Sequence, residues 1–234
     1  MTEYAIDPPP RPSVAIAGSA ARFPLRRIFC VGRNYAAHAR EMGHDPDREP
    51  PFFFSKPADA VVEDGATIPY PPLTENLHFE GELVVAIGRA GAGIAEAEAL
   101  SHVWGYGVGN DLTRRDLQAA AKQKGRPWDW GKAFDHSAPC GPLHPVADVG
   151  HPAKGALRTT VNGETRQEAD LSELIWSVPE VISILSNAVE LRPGDLIYTG
   201  TPAGVGRLQP GDVCVVEIAG LGRLSTIMGA PREG

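Results

Sequence analysis

Two glutamates two positions apart, Glu80 and Glu82, follow His78 at the entry to the apolar run Leu83 to Ile87. In extended backbone, residues two apart share a face, so an imidazole and two carboxylates stand side by side. Like charges that close raise one another's pKa unless a cation lies between them. A hard divalent ion with oxygen ligands resolves the repulsion, and a solvated strand face is the other reading of the same spacing. Asn110-Asp111 supplies a further carboxylate at the end of Trp104-Gly-Tyr106-Gly-Val108-Gly109, where every second side chain is missing. Spacing alone leaves open whether Asp111 meets the glutamate pair.

A second pair, His38 and Glu41, is separated by three positions within Arg33 to Met42, a stretch that reads as a short helix closed by Gly43. Residues at that spacing share a helix face. A carboxylate beside an imidazole fixes its tautomer and raises its basicity, as a general base for water requires; a surface pair is the alternative. The Gly-rich segment Tyr198-Thr-Gly-Thr201-Pro-Ala-Gly204-Val-Gly206 follows a short strand and can aim backbone amides at an oxyanion. It lacks the Lys-Ser/Thr ending of a phosphate loop and does not match G-x-G-x-x-G. Lys132 lies in Trp128-Asp-Trp130-Gly-Lys132-Ala-Phe134, where large aromatics can strip it of water, although a lysine snorkelling to the surface fits the same pattern.

These residues need a scaffold of many short elements. Among 234 residues are 26 Gly and 22 Pro, about a fifth of the chain against roughly 12% in average usage, while 42% apolar and 22% charged residues exclude disorder by composition. Strands are expected at Ile28 to Val31, Val61-Val62, Leu83 to Ile87, Val103 to Asn110, Leu196 to Tyr198 and Val213 to Ile218, the last two each launched by a Pro-Gly-Asp turn. A hairpin is expected to turn at Asn162-Gly163. Helices are expected over Ile94 to His102, over Asp116 to Lys124 capped by Thr113, and from Pro179 to Ala188. Prolines 69, 71 and 72 read as a loop, and residues 1–24, with five prolines, as an extended surface arm ahead of a catalytic domain over 25–234.

A net charge of −7 excludes polyanions as main partners. Cys30, Cys140 and Cys214 form no disulfide framework or zinc ribbon, and no run approaches a membrane span. A cytoplasmic protein is the resulting expectation.

In order along the chain, Cys30-Val-Gly-Arg33-Asn-Tyr-Ala-Ala-His38, Phe54-Ser-Lys56-Pro57, Glu80-Gly-Glu82, Asn110-Asp111-Leu-Thr-Arg114-Arg115-Asp116, Gly131-Lys132-Ala-Phe134-Asp and Tyr198-Thr-Gly-Thr201-Pro-Ala-Gly-Val-Gly206 resemble the fumarylacetoacetate hydrolase family from about residue 26 to 228. The resemblance implies an α+β, mainly β fold of layered mixed sheets with a few short helices, acting as a homodimer. It further implies Mg2+ or Mn2+ held by Glu80, Glu82 and Asp111, with His78 orienting a neighbouring group rather than ligating. His38 and Glu41 match the water-activating dyad, Lys132 the active-site lysine, and Thr201 the position that polarises the attacked carbonyl. Arg33, Lys56 and Gln118 are implied contacts for substrate carboxylates. The compact length and Gly125-Arg-Pro-Trp128 through His136-Ser are similar to the short acylpyruvate hydrolases. The expected reaction is hydrolysis of the C–C bond of a 2,4-diketo acid, with fumarylpyruvate from gentisate breakdown as the foremost substrate. Other acylpyruvates, maleylpyruvate, oxaloacetate decarboxylation and hydroxy-dienoate isomerisation are the alternatives.

Overall fold

The computed structural model describes residues 4–36, 41 and 49–231, and the structural statements below concern those residues. The core of the fold is a six-stranded sheet in the order His144–Pro145, Val103–Asn110, Gly81–Ile87, Asp195–Tyr198, Arg27–Val31, Phe53–Lys56. Its pairings are antiparallel except between Asp195–Tyr198 and Arg27–Val31. A five-stranded sheet runs Glu164–Asp170, Ala156–Val161, Val213–Ile218, Gly222–Pro231, Ala66–Tyr70.

Both faces of the six-stranded sheet are covered. On one, Leu83, Val85, Val108 and Ile197 pack with Leu157, Val216 and Leu224 of the five-stranded sheet and with Val181, Ile182 and Leu185 of the helix Val178–Ala188. On the other, Ile28, Val84, Ala86 and Leu196 meet Val14, Phe23 and Leu143. Burial on both faces is why Gly81–Ile87 reads as an unbroken apolar run rather than an alternation. The glycine alternation has a physical counterpart too: a Cβ on Gly105 would stand 2.3 Å from the His144 carbonyl oxygen, and one on Gly109 would stand 2.6 Å from the Tyr198 ring.

Most expected elements are present, including the hairpin that turns at Asn162-Gly163, where both residues have positive φ, and the helix beginning beside Pro179, whose Ser177 amide donates to Glu180 Oε2 at 2.9 Å. Four expectations need correcting. Residues 13–15 and 22–24 pair as an antiparallel hairpin that buries Val14 and Phe23, so the first 24 residues are not simply an arm. The proline-rich segment contains the strand Ala66–Tyr70, which tolerates Pro69 because it lies at a sheet edge. Helical structure over 94–102 is limited to Glu96–Ala99 and a 3-10 turn, Leu100–His102. Thr113 does not cap the helix Arg115–Gln123, since it is buried in a strand and donates to the Asp111 carbonyl. Instead the Asp116 carboxylate accepts from Thr74 Oγ1, the Glu75 amide and the Leu117 amide, tying the first turn to the preceding loop. The three cysteines are free and buried, and no helix among the described residues is long and apolar enough to cross a membrane.

Candidate active site

The register of two adjacent strands builds the acidic cluster. Gly81–Ile87 and Val103–Asn110 pair with Gly81 opposite Asn110 and Glu82 opposite Gly109. The ladder continues past the strand ends: the Asp111 amide donates to the Glu80 carbonyl at 2.9 Å, and the Glu80 amide donates to Asn110 Oδ1 at 2.9 Å. Glu80, Glu82 and Asp111 each thereby contribute a carboxylate oxygen to a buried group whose members lie within 4.8 Å of one another. His78 is outside the group; its Nε2 faces Asn76 Oδ1 at 2.9 Å and its Nδ1 faces Arg115 Nε at 3.4 Å. Burial and Arg115 push the His78 imidazole down to about 4, against the opposing pull of Glu80.

Cations surround the carboxylates. Lys132 Nζ lies 2.7 Å from Glu80 Oε2 and 2.7 Å from Asp111 Oδ2. Burial disfavours its charge, but Asp111 and Glu80 outweigh that and raise its pKa. Arg115 pairs with Glu80 Oε1. Lys56 Nζ stands 2.8 Å from Asp111 Oδ1 and also donates to the carbonyls of Leu112 and Lys132 at 2.9 and 2.6 Å. Burial, followed by Asp111 and Glu80, holds the Glu82 carboxyl well above the usual carboxylate range, even though the Gly200 amide donates to Glu82 Oε2 at 2.7 Å. A carboxyl kept from ionising by its neighbours is what a hard divalent cation would relieve, and three carboxylates are the donors such an ion takes. The residues fit magnesium or manganese.

The cluster opens into a cavity of about 480 Å³ whose wall includes Arg33, Arg115, Gln118, Lys122, Trp128 and Lys132. Gly131, on the short helix Asp129–Lys132, lets that helix sit against the next wall: a Cβ there would lie 2.9 Å from the Gln118 backbone nitrogen. The ring over the Lys132 ammonium is Phe54, 4.8 Å from its centroid; Trp130, expected to desolvate it, is 70% exposed.

The sequence-predicted residues separate accordingly. Glu80, Glu82, Asp111 and Lys132 converge, and Arg33 and Gln118 line the cavity. Lys56, expected to touch substrate, instead has a fully buried ammonium beneath Asp111 and is absent from the cavity wall. Strand alternation explains this, since Lys56 is the inward residue of Phe53–Lys56. Glu41 accepts from the Gly204 amide at 3.1 Å, while His38 lies outside the described residues. Thr201 is buried beside the cluster, but its hydroxyl is engaged, donating to the Gly81 carbonyl at 3.0 Å and accepting from Gln167 Nε2 at 2.8 Å. Its backbone amide, for which the described residues supply no acceptor, is the group left to meet an oxyanion. Residue types and spacing assigned no part to Arg115, Gln167 or the Gly200 amide. Only the Asn110 to Asp116 motif pointed toward the first of them.

A family model described as fumarylacetoacetate (FAA) hydrolase C-terminal matches residues 27–228. The chain belongs to the fumarylacetoacetate hydrolase family. It is 44% identical over 190 residues to the fumarylpyruvate hydrolase of Ralstonia sp, covering 80% of this chain and 98% of that protein. It is 42% identical over 196 residues to human oxaloacetate tautomerase FAHD1, mitochondrial, covering 84% and 88%. The crystal structure of fumarylpyruvate hydrolase from Pseudomonas aeruginosa in complex with Mn2+ and pyruvate superposes with a TM-score of 0.95 at 55% identity, covering 97% of this chain and 100% of that one. This chain is accordingly a metal-dependent enzyme of the fumarylacetoacetate hydrolase family, a hydrolase acting on carbon–carbon bonds, built on the mainly β fold of that family's C-terminal domain.

Proposed function

We propose that this enzyme hydrolyses fumarylpyruvate to fumarate and pyruvate, using Mg2+ or Mn2+ held by Glu80, Glu82 and Asp111. The observation that carries the reading is the union of this buried carboxylate triad with a cavity walled by Arg33, Arg115, Lys122 and Lys132, a setting for a substrate that is both a metal chelator and an anion. The bound ion would supply a Lewis acid for the carboxylate and 2-oxo end of a diketo acid.

The protein's own groups divide the remaining work. Lys132 is positioned to donate a hydrogen bond to a substrate oxygen beside the triad, and the Thr201 amide is positioned to stabilise charge on the attacked carbonyl oxygen. Gly204 holds the Glu41 carboxylate, and His38 is assigned the removal of a proton from water. The hydroxyl adds to C4 and the C3–C4 bond breaks. The electron pair goes to C3, which takes up a proton to give the methyl group of pyruvate, and the acyl half leaves as fumarate.

A coupled pyruvate-release assay over fumarylpyruvate, acetylpyruvate and oxaloacetate, with magnesium and then with chelator, tests this. Chelator-sensitive release that is fastest from fumarylpyruvate is expected. The likeness to oxaloacetate tautomerase FAHD1 favours enol–keto tautomerisation of oxaloacetate as the second reading; it releases no pyruvate, so accelerated decay of enol absorbance with no pyruvate from any diketo acid would replace the proposal with it.

A further inference from the structure

The strand Phe53–Lys56 holds Lys132 at its ammonium and at its main chain. Phe54 and Lys56 lie two positions apart and so share a face of the strand. The Phe54 ring covers the Lys132 ammonium at 4.8 Å, and the Lys56 ammonium donates to the Lys132 carbonyl at 2.6 Å. That carbonyl ends the single-turn helix Asp129–Lys132, and the last carbonyls of a helix have no intrahelical donor, so a side chain supplies one here. Lys56 Nζ also donates to the Leu112 carbonyl at 2.9 Å and stands 2.8 Å from Asp111 Oδ1. Three oxygens thus face the three protons of one ammonium, on a side chain shut off from solvent.

These contacts close a ring. From Lys56 Nζ it passes through the Asp111 carboxylate from Oδ1 to Oδ2, crosses 2.7 Å to Lys132 Nζ, follows the Lys132 side chain back to its own carbonyl, and returns to Lys56 Nζ. A lysine ammonium rides on a flexible four-carbon stem. A ring that includes the whole of that stem leaves the ammonium one place to stand, beside Asp111 and Glu80. We infer that Lys56 is a positioning residue, which meets no substrate and fixes the Lys132 ammonium by joining the Lys132 main chain to the Asp111 carboxylate. The inference rests on the proposed function for the contact between Lys132 and a substrate oxygen.

A double-mutant cycle over Lys56→Met and Lys132→Met tests it, read at saturating Mn2+ by kcat for fumarylpyruvate and by calorimetry of pyruvate binding. Lys56→Met alone is expected to lower kcat roughly 10- to 100-fold, the scale of a misplacement near 1 Å, and to weaken pyruvate binding. In the Lys132→Met background the same change is expected to alter either quantity by no more than about twofold, because residues that act as one unit are not additive. Should Lys56→Met fail to fold, Lys56→Gln, which keeps N–H donors for the two carbonyls, takes its place in the cycle. A merely structural lysine would act alike in both backgrounds. Losses of equal size in the two backgrounds, or unchanged kcat and pyruvate affinity in a folded Lys56 variant, overturn the inference. If the wild type cleaves no diketo acid, the pyruvate-binding cycle decides alone and only the proposed reaction fails.

Discussion

The Lys132 ammonium lies 2.7 Å from Asp111 Oδ2 with both side chains all but sealed from solvent, at 3% and 1% exposure. Removing one partner of a buried ion pair leaves the other charge without compensation, at a cost of about 3–5 kcal/mol. With Lys56 still 2.8 Å from Asp111 and Arg115 still paired with Glu80, Lys132→Met is expected to destabilise the metal-free protein by less than that and to lower kcat by roughly 10²- to 10³-fold. Urea unfolding in chelator and pyruvate release with metal measure the two effects. A variant as stable and as active as wild type would show that Lys132 only fills space.

Glu80→Ala is expected to abolish divalent-metal binding and activity while circular dichroism remains native. Unchanged metal affinity by calorimetry would remove Glu80 from the ligand set.

The raised pKa of Glu82 sets a pH dependence with a definite sign. Without metal the folded state keeps a proton that an unfolded glutamate releases above about pH 4.3, so the native state binds more protons and metal-free stability falls as pH rises. Metal binding must expel that proton, so affinity rises with pH. The melting temperature in chelator should decline from pH 5 to 8 in wild type and stay flat in Glu82→Gln. Matching slopes in the two proteins would contradict the prediction.

Gly200 has φ of +100°, and a Cβ there would stand 2.7 Å from Asn34 Cβ. Its amide also donates to Glu82. Gly200→Ala therefore combines backbone strain of about 1–3 kcal/mol with displacement of a bond to Glu82, one of the proposed metal ligands. Lower melting temperature together with weaker metal binding is expected, and loss of one without the other would separate the two roles.

Gln167 ties three segments together: its Nε2 donates to Thr201 Oγ1 and the Pro202 carbonyl, both at 2.8 Å, and its Oε1 accepts from the Gly81 amide at 3.0 Å. Gln167→Leu leaves those buried groups unpartnered at about 1–3 kcal/mol each. We expect a clear loss of stability and a kcat reduced about tenfold through misplacement of the Thr201 amide. Unaltered kcat in a folded variant would show that the loop is held by other contacts.

What the sequence revealed follows the range of the interactions involved. Glu80 and Glu82 were legible because strand periodicity is local, whereas the meeting with Asp111 depends on a register between segments thirty residues apart, and only the family resemblance supplied it. The inward direction of Lys56 was hidden because a motif names a residue without saying which way its strand faces. Gln167 gave no signal at all: its partners lie 34, 35 and 86 positions away. The strand at Ala66–Tyr70 was hidden by Pro69, which is harmless at an edge and prohibitive elsewhere.

The pairing of Gly81 with Asn110 and of Glu82 with Gly109 makes the site a gauge of correct folding. A slip of one residue between these strands would send alternate side chains to opposite faces, parting Glu82 from Asp111 and driving a charge into the apolar layers on either side. An ion held by Glu80, Glu82 and Asp111 would be retained only where the central sheet has closed in register, and would so double as a quality check on assembly.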